Sequence, residues 1–232
     1  MRYGQWIRDH AETLISPGRK FELGFFSPAG SSGDKRYVGI WYMWDKRKVV
    51  WVANRDDPLI NTTTGAFGFA KDGNLQVLDT STEKAHRYLE CYYWRESCNT
   101  TDTIVNLTDS GNLVLYGYSY EYGNVTSLGM LLWYGKSLTS WRGRDDPGSG
   151  NFAFMVDTAG NQNAIIVDKE ETTTIYWRSS VFFYNVLTTT EVQKDYNFEN
   201  ARLVMNFTGK IVLGTEHKRD MVLVRCGAEG QS

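Results

Sequence analysis

No apolar run in this 232-residue chain approaches the roughly 20 residues that a membrane-spanning helix requires. An excess of one charge is missing as well. Lys and Arg number 25 against 27 Asp and Glu, and a formal net charge of −2 leaves no electrostatic footprint for nucleic acid or an acidic membrane surface. Met1-Arg2-Tyr3-Gly4-Gln5-Trp6 contains no apolar core of a leader, so a signal peptide is expected to be absent from this chain, either removed or never part of it. Histidine is scarce and scattered, at His10, His86 and His217, and no G-x-S-x-G, H-E-x-x-H or phosphate-cradling glycine loop occurs, so no catalytic residue is nominated and no enzyme is expected. The carboxylate pairs Asp56-Asp57 and Asp145-Asp146 each precede Pro, which marks turns rather than an acid/base site. The three cysteines, Cys91, Cys98 and Cys226, fit no ligand spacing, and neither a metal nor a cofactor is expected.

What is present points to strands. Aromatic residues make up 14% of the chain, glycines number 22 and Ala/Leu-rich runs are few, so an all-β chain forming one large domain or two smaller ones is expected. The organising stretch is Tyr37–Trp44, then Asp45-Lys46-Arg47-Lys48, then Val49–Pro58. Two runs rich in β-branched and aromatic residues flanking four charged ones read as a hairpin whose polar tip stays in solvent, with Trp41, Trp44 and Trp51 as core anchors. Asn54-Arg55-Asp56-Asp57-Pro58 ends its second strand. Earlier strands are expected in Ala11–Gly18 and Phe21–Pro28, followed by a loop through Ala29–Asp34, and later ones at Phe67–Ala70 and Leu75–Leu78 around Lys71-Asp72-Gly73-Asn74.

An internal echo follows. Asp72-Gly73-Asn74-Leu75-Gln76-Val77-Leu78 returns 38 residues on as Asp109-Ser110-Gly111-Asn112-Leu113-Val114-Leu115-Tyr116, placing Gly-Asn between two strands each time. The repetition implies a pseudo-symmetric β body; the alternative is two unrelated hairpins sharing common turn chemistry. Five N-glycosylation sequons occur, at Asn61, Asn99, Asn106, Asn124 and Asn206, where chance at this Asn, Ser and Thr content gives about two. The excess points to a secreted or cell-surface glycoprotein. In that compartment Cys91 and Cys98 are expected to close a short disulfide loop, the alternative being two unpaired thiols.

Phe21-Glu22-Leu23-Gly24-Phe25-Phe26, Tyr37-Val38-Gly39-Ile40-Trp41-Tyr42, Val50–Leu59 and Asp109–Leu115 together resemble the ectodomain of plant S-domain receptor-like kinases and S-locus glycoproteins. The resemblance continues in order through Leu138-Thr139-Ser140-Trp141, Asp145–Phe152 and Tyr176-Trp177-Arg178-Ser179. It implies an extracellular bulb-type (mannose-binding-like) lectin region of β-prism type over 3–136, a β-rich S-locus glycoprotein domain over 137–225, and the truncated start of an EGF-like module over 226–232. Two departures stand out. The Gln-Ser-Phe…Pro-Thr-Asp stretch that family members carry after the second unit's Leu-Trp is missing, since Leu132-Trp133 runs almost directly into Leu138-Thr139-Ser140-Trp141, and a lost strand would leave an unpaired edge. Ser232 stands where the EGF-like module would place a cysteine, which leaves Cys226 without its family partner.

The family's sugar signature is Gln-x-Asp-x-Asn-x-Val-x-Tyr: amide and carboxylate groups bond vicinal hydroxyls, Tyr adds a hydroxyl, and Val packs on the apolar sugar face. Here the second repeat keeps Asn112, Val114 and Tyr116 but has Thr108 and Ser110 for Gln and Asp. The first keeps Asp72 and Asn74 only, with Ala70, Gln76 and Leu78 elsewhere. Each missing polar partner leaves a sugar hydroxyl unsatisfied at about 1–3 kcal/mol. A millimolar site has only about 4 kcal/mol in total, so mannose binding is expected to be weak or absent. The sequence thus nominates an extracellular, non-catalytic recognition module whose partners are a glycan, small-molecule or peptide ligand and a second receptor chain. The alternatives are a free-standing mannose-binding lectin and a truncated remnant without function. Recognition is assigned to two segments read as loops, Ser27–Arg36 and Tyr116–Ser127.

Overall fold

The computed structural model describes all residues except 3, 11, 32, 61–62, 71–74, 90–103, 122–123, 132–136, 157–162, 170–174, 183–201, 215–220 and 225–232. Every regular element among the described residues is a β-strand, and the chain is all-β as its composition implies. It divides into two compact units, Met1–Tyr134 and Gly135–Ser232.

Among the described residues, unit one holds three antiparallel sheets. The first has β1 (Trp6–Arg8), β7 (Gly65–Phe69), β8 (Leu75–Asp79) and β9 (Lys84–Leu89) in the order β1-β7-β8-β9. The second runs β2 (Leu14–Ile15), β3 (Phe21–Phe26), β4 (Lys35–Tyr42) and β5 (Asp45–Val52), with β6 (Leu59–Ile60) also on β4. The third comprises β10 (Ile104–Leu107), β11 (Leu113–Glu121) and β12 (Asn124–Leu131). Strand alternation sends one set of side chains from each sheet into a shared core: Phe67, Phe69, Leu75 and Val77 from the first, Leu23, Val38, Ile40 and Trp51 from the second, and Val105, Leu107, Leu113 and Leu115 from the third. Three sheets around one core is the arrangement of a β-prism. The third sheet carries three strands where the others carry four and five.

The echo is visible in the register. Phe69 pairs with Leu75 and Leu107 with Leu113, so the same number of residues separates the paired strand ends in each repeat. The strand β1 was not expected from sequence. It is three residues long and is fixed by pairing Trp6 with Gly68, a contact that no local pattern announces.

The central hairpin differs from its sequence reading in two ways. Its tip is Met43-Trp44, while Asp45-Lys46-Arg47-Lys48 lie inside β5. Tyr42 pairs with Asp45 but Trp41 pairs with Val49, so Lys46, Arg47 and Lys48 form a wide bulge that lets the charged side chains escape the ladder. Trp41 and Trp51 are buried, whereas Trp44 is exposed, tilted against Tyr42 at 5.0 Å between centroids with the Lys48 ammonium 4.9 Å from its ring centre. Its place at the turn, where no strand covers it, explains why Trp44 is not a core anchor. Asn54 does more than cap a turn: buried at the strand end, its Oδ1 accepts from the Val38 amide at 2.9 Å and its Nδ2 donates to Arg36 O and Asp57 O. Tyr116–Ser127 is likewise no loop. It lies within β11 and β12, paired from Tyr116–Gly129 to Glu121–Asn124.

Among its described residues unit two has two sheets: β13 (Ser137–Gly143), β14 (Asp146–Val156), β15 (Asn163–Asp168) and β16 (Ile175–Phe182) in that order, then β17 (Arg202–Met205), β18 (Ile211–Gly214) and β19 (Met221–Val224). Ala153, Ile165 and Val167 form a small core in the first of these, with Met155 against it. Asp145 and Asp146 sit at the β13–β14 turn, and Asp146 accepts from the Gly148 amide at 2.9 Å while Arg142 lies 3.4 Å from its other oxygen, a local structural role.

Candidate functional site

The second repeat of the sugar signature lies on the outer face of the β10–β11 hairpin. Leu113 and Leu115 enter the core, so Asn112, Val114 and Tyr116 share the opposite side; Asn112 and Val114 are half-buried and Tyr116 is exposed. The strand partners are Ile104 opposite Tyr116 and Asn106 opposite Val114 on β10, and Gly129 opposite Tyr116 and Leu131 opposite Val114 on β12. The polar residues of the loop bond mainly to one another. Thr108 Oγ1 lies 2.8 Å from Ser110 Oγ and accepts from the Asn112 amide at 3.1 Å, and Asn112 Nδ2 donates to Ser110 Oγ at 3.1 Å. The backbone closes the same loop, with Thr108 N donating to Asn112 O, Gly111 N donating to Thr108 O, and Gly111 at φ 72°, a conformation that favours glycine.

A third loop, Asn206–Lys210 between β17 and β18, repeats this pattern. Asn206 N donates to Lys210 O, Gly209 N donates to Asn206 O with Gly209 at φ 77°, and Asn206 Oδ1 accepts from the Lys210 amide at 2.9 Å, as Thr108 Oγ1 does from Asn112. Thr108, in the position of the signature's Gln, is therefore a turn-closing residue. Asp109 also faces its own chain, accepting from the Gly18 amide at 2.8 Å; bonds from the Ser16 hydroxyl and that amide hold its carboxyl below the usual range. Asp72 and Asn74 of the first repeat lie outside the described residues, as do Cys91, Cys98, Cys226, Asn61 and Asn99. Asn124 begins β12 opposite Glu121.

Three polar clusters escaped sequence reasoning. Asp9, buried after β1, accepts both Nε and Nη2 of Arg36 in a two-pronged ion pair, and Arg36 Nη1 reaches Ser27 Oγ at 3.2 Å. This pair lines a cavity of about 370 Å³ together with Glu12, Thr13, Ser27 and Gly33. On the outer face of β3–β4, Glu22 accepts from Trp41 Nε1 at 2.9 Å and pairs with Lys46 Nζ at 2.9 Å. Burial pushes the Glu22 carboxyl up, but bonds from Lys46, Trp41 and Thr13 outweigh it and hold the group below its ordinary value. At the end of β8, Asp79 accepts from Thr64 Oγ1 at 2.7 Å, Ser81 Oγ at 2.7 Å and Thr82 Oγ1 at 3.1 Å; led by the Thr64 bond, these lower its carboxyl to about 2. Each cluster joins residues distant in sequence or hidden within a turn, and only Thr-rich punctuation around Asp79 gave any local signal. Among the described residues no three His, Cys, Asp or Glu side chains gather as a metal centre requires.

Comparison with known proteins gives the frame for this geometry. Residues 48–133 match the D-mannose binding lectin family, a span that includes both repeats. A G-type lectin S-receptor-like serine/threonine-protein kinase of Arabidopsis thaliana is 37% identical over 187 residues, covering 74% of this chain and 20% of the relative. A second such Arabidopsis kinase is 35% identical over 196 residues, covering 75% of this chain and 22% of the relative. The Arabidopsis kinase of this class named SRK is 34% identical over 175 residues, covering 64% and 18%. The chain thus spans about a fifth of the length of these relatives.

Proposed function

This chain belongs to the plant bulb-type lectin S-domain family, and from that premise we propose that it is an extracellular recognition module, the ligand- or partner-binding part of an S-domain receptor-like serine/threonine kinase or of a soluble relative. It has no catalytic role of its own, and its mannose sites are degenerate. The observation that carries the second point is the loop of the second repeat, where Thr108, Ser110 and Asn112 spend their hydrogen bonds on one another, so a sugar must break internal bonds to gain its own. Recognition then falls to the segment Ser27–Arg36, whose residues Ser27, Gly33 and Arg36 line the same cavity as Asp9, the ion-pair partner of Arg36. A division into 3–136, 137–225 and 226–232, a Cys91–Cys98 disulfide and glycans at Asn61, Asn99, Asn106, Asn124 and Asn206 belong to the same proposal. No helix among the described residues is long and apolar enough to cross a membrane.

A second reading, a free-standing mannose lectin, is favoured by the alignment of Asn112, Val114 and Tyr116 on one outer face. A glycan array probed with monomeric chain separates the two, since multivalent display would amplify a weak site through effective concentration. The recognition module is expected to give no mannose-dependent signal. A lectin would give one that Asn112→Ala and Tyr116→Phe each abolish.

A further inference from the structure

Asn106 heads the sequon Asn106-Leu107-Thr108, and the same strand alternation that exposes it also places it on the sugar-signature face. Val105 and Leu107 on either side of it enter the core, while Asn106 stands directly opposite Val114, with Tyr116 diagonal to it across the β10–β11 pair. Directly opposed side chains on an antiparallel pair have Cβ atoms about 4.5–5.5 Å apart, and diagonal ones at about 7–8 Å are within reach of an aromatic ring. We propose that an N-glycan on Asn106 lies over Val114 and Tyr116, so that the chain's own sugar covers the remnant of its second mannose site. The inference rests on the extracellular reading, because only a secretory-pathway protein meets the donor.

The chemistry balances with one co-reactant, a lipid diphosphate-linked oligosaccharide. Asn106 Nδ2 forms a bond to the anomeric carbon of its first N-acetylglucosamine, the lipid diphosphate leaves, and the amide gives up one proton. The glycan's apolar sugar face then finds the apolar surface that Val114 and the exposed Tyr116 ring present, the same two groups that the signature devotes to a free mannose. A tethered sugar needs little affinity to dominate, since its effective concentration at the face is millimolar or higher. The degenerate polar loop and the sequon thus act on one face: the first weakens a free sugar's hold and the second occupies the place.

The test uses the full chain fused behind a host signal peptide and secreted from a eukaryotic cell. Peptide mass spectrometry is expected to find a glycan on Asn106, and nitration of Tyr116 is expected to rise severalfold both on enzymatic removal of N-glycans and in Asn106→Gln with the other sequons still occupied. Buried Tyr37 should stay unreactive throughout, reporting that the fold is intact. Asn106 bare while other sequons are occupied, or Tyr116 equally reactive with and without the Asn106 glycan, would overturn the capping and leave the extracellular reading standing. A secreted chain with no sequon occupied would overturn both the capping and the extracellular reading that the sequons support.

Discussion

Two outer sheet faces of the first unit are built alike and end differently. On β3–β4, Glu22, Trp41 and Tyr37 alternate outward just as Asn112, Val114 and Tyr116 do on β11, but the β5 bulge brings Lys46 over Glu22, and Phe26 packs against Tyr37 and Trp41 at 5.8 and 6.0 Å. Gly24 and Gly39 make room for this second layer; a Cβ on Gly39 would meet Trp51 O at 2.9 Å and the Phe26 ring. That face is covered and its polar groups serve the fold. The β10–β11 face is open, and its polar groups are free of the core. The lesson is that an alternating strand only offers a face; what folds back over it decides whether its polar groups are drawn into the fold or left at the surface.

The contrast can be broken most forcefully from the core side of the same sheet. Trp51→Ala is expected to cost about 3–5 kcal/mol, enough to unfold a unit of ordinary stability, whereas Trp44→Ala at the exposed tip should cost about 1 kcal/mol through its lost cation–π contact. Denaturant unfolding of both variants measures the gap, and equal losses would mean that the two tryptophans have been assigned the wrong environments. Next in size, Glu22→Ala should destabilise by about 2–3 kcal/mol because it strips the acceptor from the buried Trp41 N–H. A change near zero would show that the covered face is not held by its polar cluster.

Acid provides a third handle. Asp79 and Glu22 both have carboxyls lowered by folding, so their contributions are complete above the unfolded values near 4 and fade as pH falls through the folded ones. For Asp79 the window runs from 3.8 down to about 2. The denaturant midpoint should therefore drop across that range, and Asp79→Asn, costing about 1–2 kcal/mol at neutral pH, should flatten the drop. The smallest effect is expected on the open face: Asn112→Ala should cost about 0.5 kcal/mol, since only a half-exposed bond to Ser110 is lost.

Much of this was legible in the sequence because the signals were local. Alternation and Gly-Asn punctuation marked β3, β4, β7, β8, β10 and β11, and the recurrence of Gly73-Asn74 at Gly111-Asn112 announced two hairpins of one design. The charged run Asp45–Lys48 was misread because a bulge hides charges inside a strand that composition alone assigns to a tip. Trp44 was misread for a related reason: hydrophobic size says how much a side chain gains from burial, not whether the turn places it there. Tyr116–Ser127 was read as a loop because its Gly, Ser and Tyr content resembles one, though long-range pairing makes it a hairpin. Of the candidate site, Asn112, Val114 and Tyr116 could be placed on one face from period two alone. The cavity that Asp9 and Arg36 line could not, since 27 residues separate the pair and neither carries a motif.

The claim that the signature face no longer serves as a mannose site is tested most directly by calorimetric titration of mannose into monomeric Asn106→Gln chain, which cannot carry a glycan opposite Val114. No binding tighter than about 1 mM is expected, because the loop's polar groups are already committed to one another. Micromolar binding that disappears in the Asn106→Gln, Asn112→Ala double variant would contradict the account and identify the face as a working lectin site.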